Sequence, residues 1–255
     1  GSDALGNICE GFDSFPILVK LIDAKDRLSV QVHPSDDYAR KNEGDNGKTE
    51  MWYVVDCEEG AKLVYGFNRS ITKDEFSRRI SDNTLDEVLN YVNVNNGDIF
   101  FIKSGTVHAI GNGILIAEIQ ENSNVTYRVS DYGRLGADGK PRALHIDKAV
   151  EVASLDPSSV PYGDVGSTEM LEDGKASIRE LASCEYFTAK AIKLDGAEIT
   201  ISAGKGFASL VVLDGDVTLD CCGESYSLKK GGSVFIPAGI DFKVGGSCEL
   251  LYAGA

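Results

Sequence analysis

The chain has 255 residues, 40 acidic against 25 basic, and a net charge of −15. Its 42% hydrophobic content suits a globular protein and excludes a disordered or collagen-like chain. With no Lys/Arg stripe to offset the acidity, nucleic acid and anionic membrane surfaces are excluded as expected partners.

No apolar run reaches the about 18 residues that a bilayer-spanning helix needs, and no signal-peptide pattern is present. The six cysteines are Cys9, Cys57, Cys184, Cys221, Cys222 and Cys248. Two are adjacent, the rest are scattered, and none forms a C-x-x-C pair. This spacing reads as reduced thiols of a cytoplasmic protein rather than as a disulfide framework.

In chain order, residues 16–32 form two β-rich apolar runs split by the polar stretch Asp23–Arg27. Strand character continues at Met51–Val55, Ala61–Tyr65, Asp98–Lys103 and Ile114–Ile119. Residues 72–91 switch to helical character, with Thr72/Glu75 and Thr84/Glu87 each spaced as a capping box. Ala143–Ala153 repeats apolar residues at helical spacing. Residues 154–176 are rich in Pro, Gly, Ser and acids and read as a linker or covering loop. From Ser177 onward short strands alternate with glycine turns, including a turn at Asp214-Gly215.

An internal echo accompanies this change. Gly97, Gly105 and His108 have counterparts at Gly231, Gly239 and Phe242, each set framing an apolar strand. The pattern implies a duplicated unit in which only the first copy keeps a histidine.

The chain has three histidines. Gln31 and His33 lie two apart, so on a strand they share a face. Glu50 and His108 each sit at the end of a neighbouring expected strand. Two imidazoles, a carboxylate and an amide oxygen make a mixed N/O set suited to Zn²⁺. Strand histidines can equally be structural, and glutamine is an uncommon ligand that can simply orient its neighbours. Spacing alone leaves both readings open. His145, on the expected helix, reads as a packed or surface residue.

The stretch Gly97-x5-Lys103-x-Gly105-x2-His108-x3-Asn112 matches the second cupin motif except for lysine in place of proline. Ser29-Val-Gln31-Val-His33-Pro34, Gly47-Lys48-Thr-Glu50-Met-Trp52-Tyr53 and Gly105-Thr-Val-His108-Ala-Ile-Gly111 follow in order. With Phe15-Pro16, Leu21–Lys25, Tyr127-Arg128 and Leu144–Lys148, the chain resembles the type I mannose-6-phosphate isomerases in their short bacterial form. The likeness covers most of residues 15–150 and thins in the second half.

That resemblance implies a mainly β fold with two cupin-type, jelly-roll β-barrels and a small helical insertion in the first half. Residues 1–153 would form the metal-binding domain, 154–176 a linker, and 177–255 a degenerate domain without metal. It further implies one Zn²⁺ per chain on Gln31, His33, Glu50 and His108. Arg128 and Glu118 would face the substrate, and Ser29 and Lys48 would lie beside the first ligands. Arg128, Lys48 and Glu118 are the implied catalytic group; Ser29, Lys48 and Arg128 the implied substrate contacts. The implied activity interconverts D-mannose 6-phosphate and D-fructose 6-phosphate in the cytoplasm, by a monomer or homodimer.

Two departures accompany the likeness. Lys103 replaces the usual cupin proline, and the family's leading segment, with its Trp-Gly-Gly strand, does not precede Phe15-Pro16. Gly1-Ser2, without an initiator Met, reads as an expression remnant. The expectation is that metal binding persists without that segment while turnover is reduced. A truncated or diverged relative that binds sugar phosphate without turnover is the alternative. A cupin dioxygenase or a lectin-like cupin fits less well, because Gln31 stands where such oxygenases favour histidine.

Overall fold

The structure, a computed structural model, describes residues 2–10, 14–135 and 139–254. Contacts divide the chain into two compact units: Gly1–Val19 with Val165–Ala255, and Lys20–Asp164. These bounds differ from a division at 153/154 and 176/177, since residues 154–164 go with the preceding unit. Helix α1 (Ser2–Leu5) lies in the leading residues.

Strands β1 (Ile17–Ala24), β2 (Val30–Val32), β3 (Glu50–Cys57), β4 (Lys62–Phe67) and β5 (Leu89–Asn93) come first, with α2 (Asp36–Asn42) and α3 (Lys73–Ser81) between them. β6 (Ile99–Ile102), β7 (His108–Ala109), β8 (Ile114–Glu121), β9 (Tyr127–Ser130) and α4 (Ile146–Val152) follow. They make two sheets, ordered β1-β8-β3-β6 and β5-β4-β7-β2-β9.

The alternation of side chains explains the layering. Leu63 and Tyr65 of β4 join Trp52, Val54, Phe100 and Ile116 in the core between the sheets. Val64 and Phe67 of the same strand face the other way, into a second core with Phe76, Ile80 and Ala149 of the helices. Val30 and Val32 also belong to that outer core, which leaves Gln31 for the inner face.

The later unit contains β10 (Thr168–Leu171), β11 (Ala176–Ser183), β12 (Thr188–Ser202), β13 (Ala208–Cys221), β14 (Glu224–Lys229), β15 (Ser233–Ile236) and β16 (Asp241–Gly254). They form one sheet ordered β10-β11-β12-β16-β13-β14, with β15 also on β13. Its core includes Phe242, Val244, Leu210, Leu219 and Leu250. The sheets are open at their edges rather than closed barrels, which corrects the barrel expectation.

Several local expectations also change. Residues 72–91 are not helical throughout: α3 ends at Ser81, and Leu89–Asn93 is a strand paired with β4. Thr72 does cap α3, accepting the Glu75 N–H at 3.1 Å, but the Glu75 carboxylate turns to Arg69 and Arg79. Thr84 makes no side-chain cap and opens only a short 3₁₀ turn. Asp214-Gly215 is not a hairpin turn. It lies inside β13 directly after a bulge between Val212 and Asp214, where the pairing with β16 shifts register, and Gly215 takes φ 74°. Within 154–176, β10 is an exposed strand whose apolar content was too low to betray it.

The echo between the halves survives in the backbone. Gly97, Gly105, Gly231 and Gly239 all have positive φ, and Phe242 is buried where the first copy has His108. A different glycine serves close approach: a Cβ on Gly111 would lie 1.8 Å from the Lys62 carbonyl oxygen. Gly111→Ala should therefore cost about 2 kcal/mol or more in urea denaturation, because backbone must move to admit the methyl group. A midpoint equal to the parent's would contradict this packing.

Candidate metal and substrate site

The candidate residues converge inside the Lys20–Asp164 unit because strands of both its sheets carry them. Gln31 of β2 is paired with His108 of β7 on one side and Arg128 of β9 on the other. Glu50 of β3 lies opposite Gln120, and Trp52 lies opposite Glu118, both on β8. His33 follows β2 directly.

Each histidine is oriented by its chain. His33 Nδ1 is 2.8 Å from the Val125 carbonyl, and His108 Nδ1 is 2.8 Å from the Thr106 carbonyl. Donation from Nδ1 leaves each Nε2 as a lone pair aimed inward. His33 Nε2 is 3.6 Å from Glu50 Oε2, and His108 Nε2 is 3.3 Å from Glu50 Oε1. The Gln31 amide nitrogen is 3.3 Å from His108 Nε2. Turning that amide over would present its oxygen instead.

Burial here is complete: His33, Glu50 and His108 are 1%, 0% and 0% exposed. His33 Nε2 and both Glu50 oxygens have no hydrogen-bond partner among the described residues. Lys48 Nζ is 2.9 Å from Glu50 Oε2, an ion pair that is not aligned as a hydrogen bond. Burial first, then the charge of Lys48, holds the His33 imidazole well below its usual pKa. Burial also lowers His108, although Glu50 pulls the other way. Both rings are thus set to be neutral ligands.

These residues fit a metal. Their ligand atoms all lie within 4.8 Å of one another. Ligands about 2.0–2.1 Å from a tetrahedral Zn²⁺ would be about 3.3–3.4 Å apart, close to the gaps between the histidine nitrogens and Glu50. A buried carboxylate facing two lone pairs is costly without a cation between them.

Around this centre stand further charged groups. Burial would pull the Lys48 ammonium down, but Glu50 and Glu118 outweigh it and leave the pKa raised. Burial and then Glu50 raise Glu118, with Lys48 and Lys20 opposing. Glu118 accepts from Trp52 Nε1 at 2.9 Å and from Lys20 Nζ at 3.0 Å. Lys20 also donates to Gln120.

The structure brings Gln31, His33, Lys48, Glu50, His108 and Glu118 into one cluster. Ser29 is buried just before β2. Arg128 lies across β2 from His108, and its Nη1 donates to the Ala143 carbonyl at 3.1 Å. Lys20 and Trp52 are the residues that site reading from sequence missed. The available signals were a lysine inside an apolar strand run and a tryptophan two positions beyond Glu50.

The fold and the buried histidine–carboxylate group define a cupin with a site able to hold a metal ion. Residues 177–253 match the family model for the mannose-6-phosphate isomerase cupin domain. Mannose-6-phosphate isomerase ManA of Bacillus subtilis is 41% identical over 241 residues, covering 94% of this chain and 75% of that protein. The Streptococcus mutans mannose-6-phosphate isomerase is 35% identical over 238 residues, covering 93% and 73%. The crystal structure of a B. subtilis mannose 6-phosphate isomerase superposes with a TM-score of 0.88 at 37% identity, covering 95% of this chain and 76% of that one. The chain belongs to the mannose-6-phosphate isomerase family of enzymes.

Trp52 is the only tryptophan, and its ring meets His108 edge-on at 5.2 Å between centroids. Titrating the metal-stripped protein with Zn²⁺ should therefore change tryptophan emission to an endpoint of one ion per chain. An emission spectrum blind to Zn²⁺ while the metal binds would argue that it binds elsewhere.

Proposed function

We propose that this chain is a zinc-dependent isomerase that interconverts D-mannose 6-phosphate and D-fructose 6-phosphate through an enediol. The observation that carries this reading is the buried Glu50 carboxylate, ion-paired to Lys48 and faced by two inward imidazole nitrogens, in a chain with such relatives. Gln31, His33, Glu50 and His108 would hold one zinc. When bound, that ion supplies Lewis acidity toward a sugar oxygen that gains negative charge.

The protein's own groups account for the rest. Aldose–ketose exchange takes a proton from the carbon beside the carbonyl and returns one to its neighbour. A positioned acid–base group contributes about 10²–10⁴ in rate. Glu118 suits proton abstraction because its raised pKa makes the carboxylate a stronger base. Lys48, an ammonium beside two carboxylates, suits donation to the sugar oxygen. Lys20 and Trp52 fix the Glu118 carboxylate through both its oxygens. Arg128 provides a planar cation for the phosphate or the developing oxyanion, and Ser29 a short polar contact.

In the later unit the position matching His108 holds a buried phenylalanine, and no histidine follows His145. We assign that unit a supporting role without a second metal.

A coupled assay on mannose 6-phosphate, with and without chelator, tests the reading. Turnover should be lost with the metal and restored by Zn²⁺. His108→Ala should release most of the metal at chelator concentrations that the parent tolerates. Arg128→Ala should keep the metal and lower kcat/KM by about 10²-fold, with only partial recovery in Arg128→Lys. A metal-loaded parent with no turnover would overturn the isomerase reading, and a silent Arg128→Ala would remove that residue from it.

A further inference from the structure

Arg128 lies on β9, the edge of its five-stranded sheet. An edge strand presents backbone N–H and C=O groups with no neighbouring strand to take them. At Arg128 both are taken by one residue. The Arg128 N–H donates to His145 Nδ1 at 3.1 Å, and the His145 N–H donates to the Arg128 carbonyl at 2.8 Å. His145 therefore does for one position what a further strand would do for many.

The same stretch also holds the side chain. Ala143, two residues before His145, accepts from Arg128 Nη1, while Arg128 Nε is buried and meets no hydrogen-bond partner among the described residues. The other side of β9 is the less regular one. Val30 pairs with Ser130 but Gln31 with Arg128, so three residues of β9 oppose two of β2. This bulge makes Val129 the extra residue and re-aims the strand next to Arg128. The opposite clasp is anchored: His145 is the N-cap residue of α4, and its carbonyl accepts from Ala149, which is fully buried in the outer core.

From these contacts we infer that His145 is the positioning residue for Arg128, its Nδ1 lone pair fixing the edge strand and, with Ala143, the direction of the guanidinium. The consequence for catalysis rests on reading Arg128 as substrate-facing, as set out above. His145 itself touches no reacting atom.

The clasp depends on the state of the ring. Nδ1 must be an acceptor, so the ring must be neutral with its proton on Nε2. Protonation would turn Nδ1 into a donor facing another donor. Burial, and then the charges of Arg128 and Lys148, lower the His145 pKa, opposed by Glu43. The titratable groups around the ring are Arg128 and Tyr127 from β9, Lys148 from its own helix, and Glu43 and Asp45 across a cavity of about 330 Å³. Glu43 is itself engaged by Lys148 at 2.6 Å and by the Tyr127 hydroxyl at 2.7 Å. The sign follows from linkage. A folded pKa below the unfolded value stabilises the clasp above the unfolded pKa and loses that stabilisation as pH falls through the folded pKa.

The test compares His145→Asn, whose amide oxygen can accept from Arg128 but cannot titrate, with His145→Ala, which offers no acceptor. Backbone hydrogen exchange at Arg128 is read from pH 5 to 8, alongside kcat/KM on mannose 6-phosphate and metal content. The parent amide should be protected at pH 7 and lose protection on acidification. His145→Asn should keep protection across the range, with kcat/KM within about threefold of the parent. His145→Ala should lose protection and about 10- to 100-fold in kcat/KM while retaining its metal.

Parent-like protection and kcat/KM in a folded His145→Ala would overturn the inference. If that variant does not fold, an acid loss of protection in His145→Asn identical to the parent's would overturn it instead. Hydrogen exchange needs no turnover. A chain whose exchange pattern follows the expectation but which converts no sugar would fail as an isomerase while keeping His145 as the clasp of Arg128.

Discussion

The arrangement around Glu50 depends on one electrostatic problem: a fully buried carboxylate whose oxygens accept no aligned hydrogen bond among the described residues, set between two imidazole nitrogens. Burying such a charge costs several kcal/mol unless opposite charge compensates it. Lys48 supplies part of the compensation, and a cation held with the two imidazole Nε2 atoms would supply the rest. Each neighbouring feature serves this centre. The Val125 and Thr106 carbonyls fix the two rings, and the closely packed β3–β8 pair holds Glu50 and Glu118 at a constant spacing. The outer helices bury the reverse face of the sheet that carries His33 and His108.

Much of this was legible because the candidate ligands sit in short motifs. Gln31 and His33 fit the alternation of a strand, but spacing alone left a structural reading open; the likeness to the isomerase family joined them with Glu50 and His108 as one set. Lys20 was not legible, since its role arises from contact with a residue 98 positions away on β8. Residues 72–91 misled because capping chemistry at Thr72 marks where a helix starts, whereas Leu89–Asn93 is held as strand by β4. Asp214-Gly215 misled for a related reason. The left-handed glycine that suits a hairpin also suits a strand just past a bulge, and only the continuous pairing of β13 with β16 distinguishes them. His145 was read as packing because its partner, the backbone of Arg128, has no side-chain signature.

Charge is distributed unevenly in this protein. The chain carries −15 overall, yet Lys20, Lys48 and Arg128 belong to the unit that holds the buried ligands. For an anionic ligand the long-range field is repulsive, and attraction begins only near these cations. Salt screens the former beyond about 10 Å and touches buried pairs much less. Discrimination would then come from close contact more than from capture at a distance.

The position of Lys20 has a further consequence. It is carried by β1, an edge strand of its sheet, whereas Glu50 and Glu118 are carried by the two inner strands. Edge strands open locally at lower free energy than inner strands. The Glu118 carboxylate is therefore held from two different strands, by Trp52 on β3 and by Lys20 on β1. Opening of β1 would break the Lys20 contact with Glu118 but leave the Trp52 contact, so the carboxylate would lose a countercharge. Its basicity would then rise, because the Lys20 charge opposes the effect of burial and of Glu50, while the Trp52 contact would still orient the carboxylate.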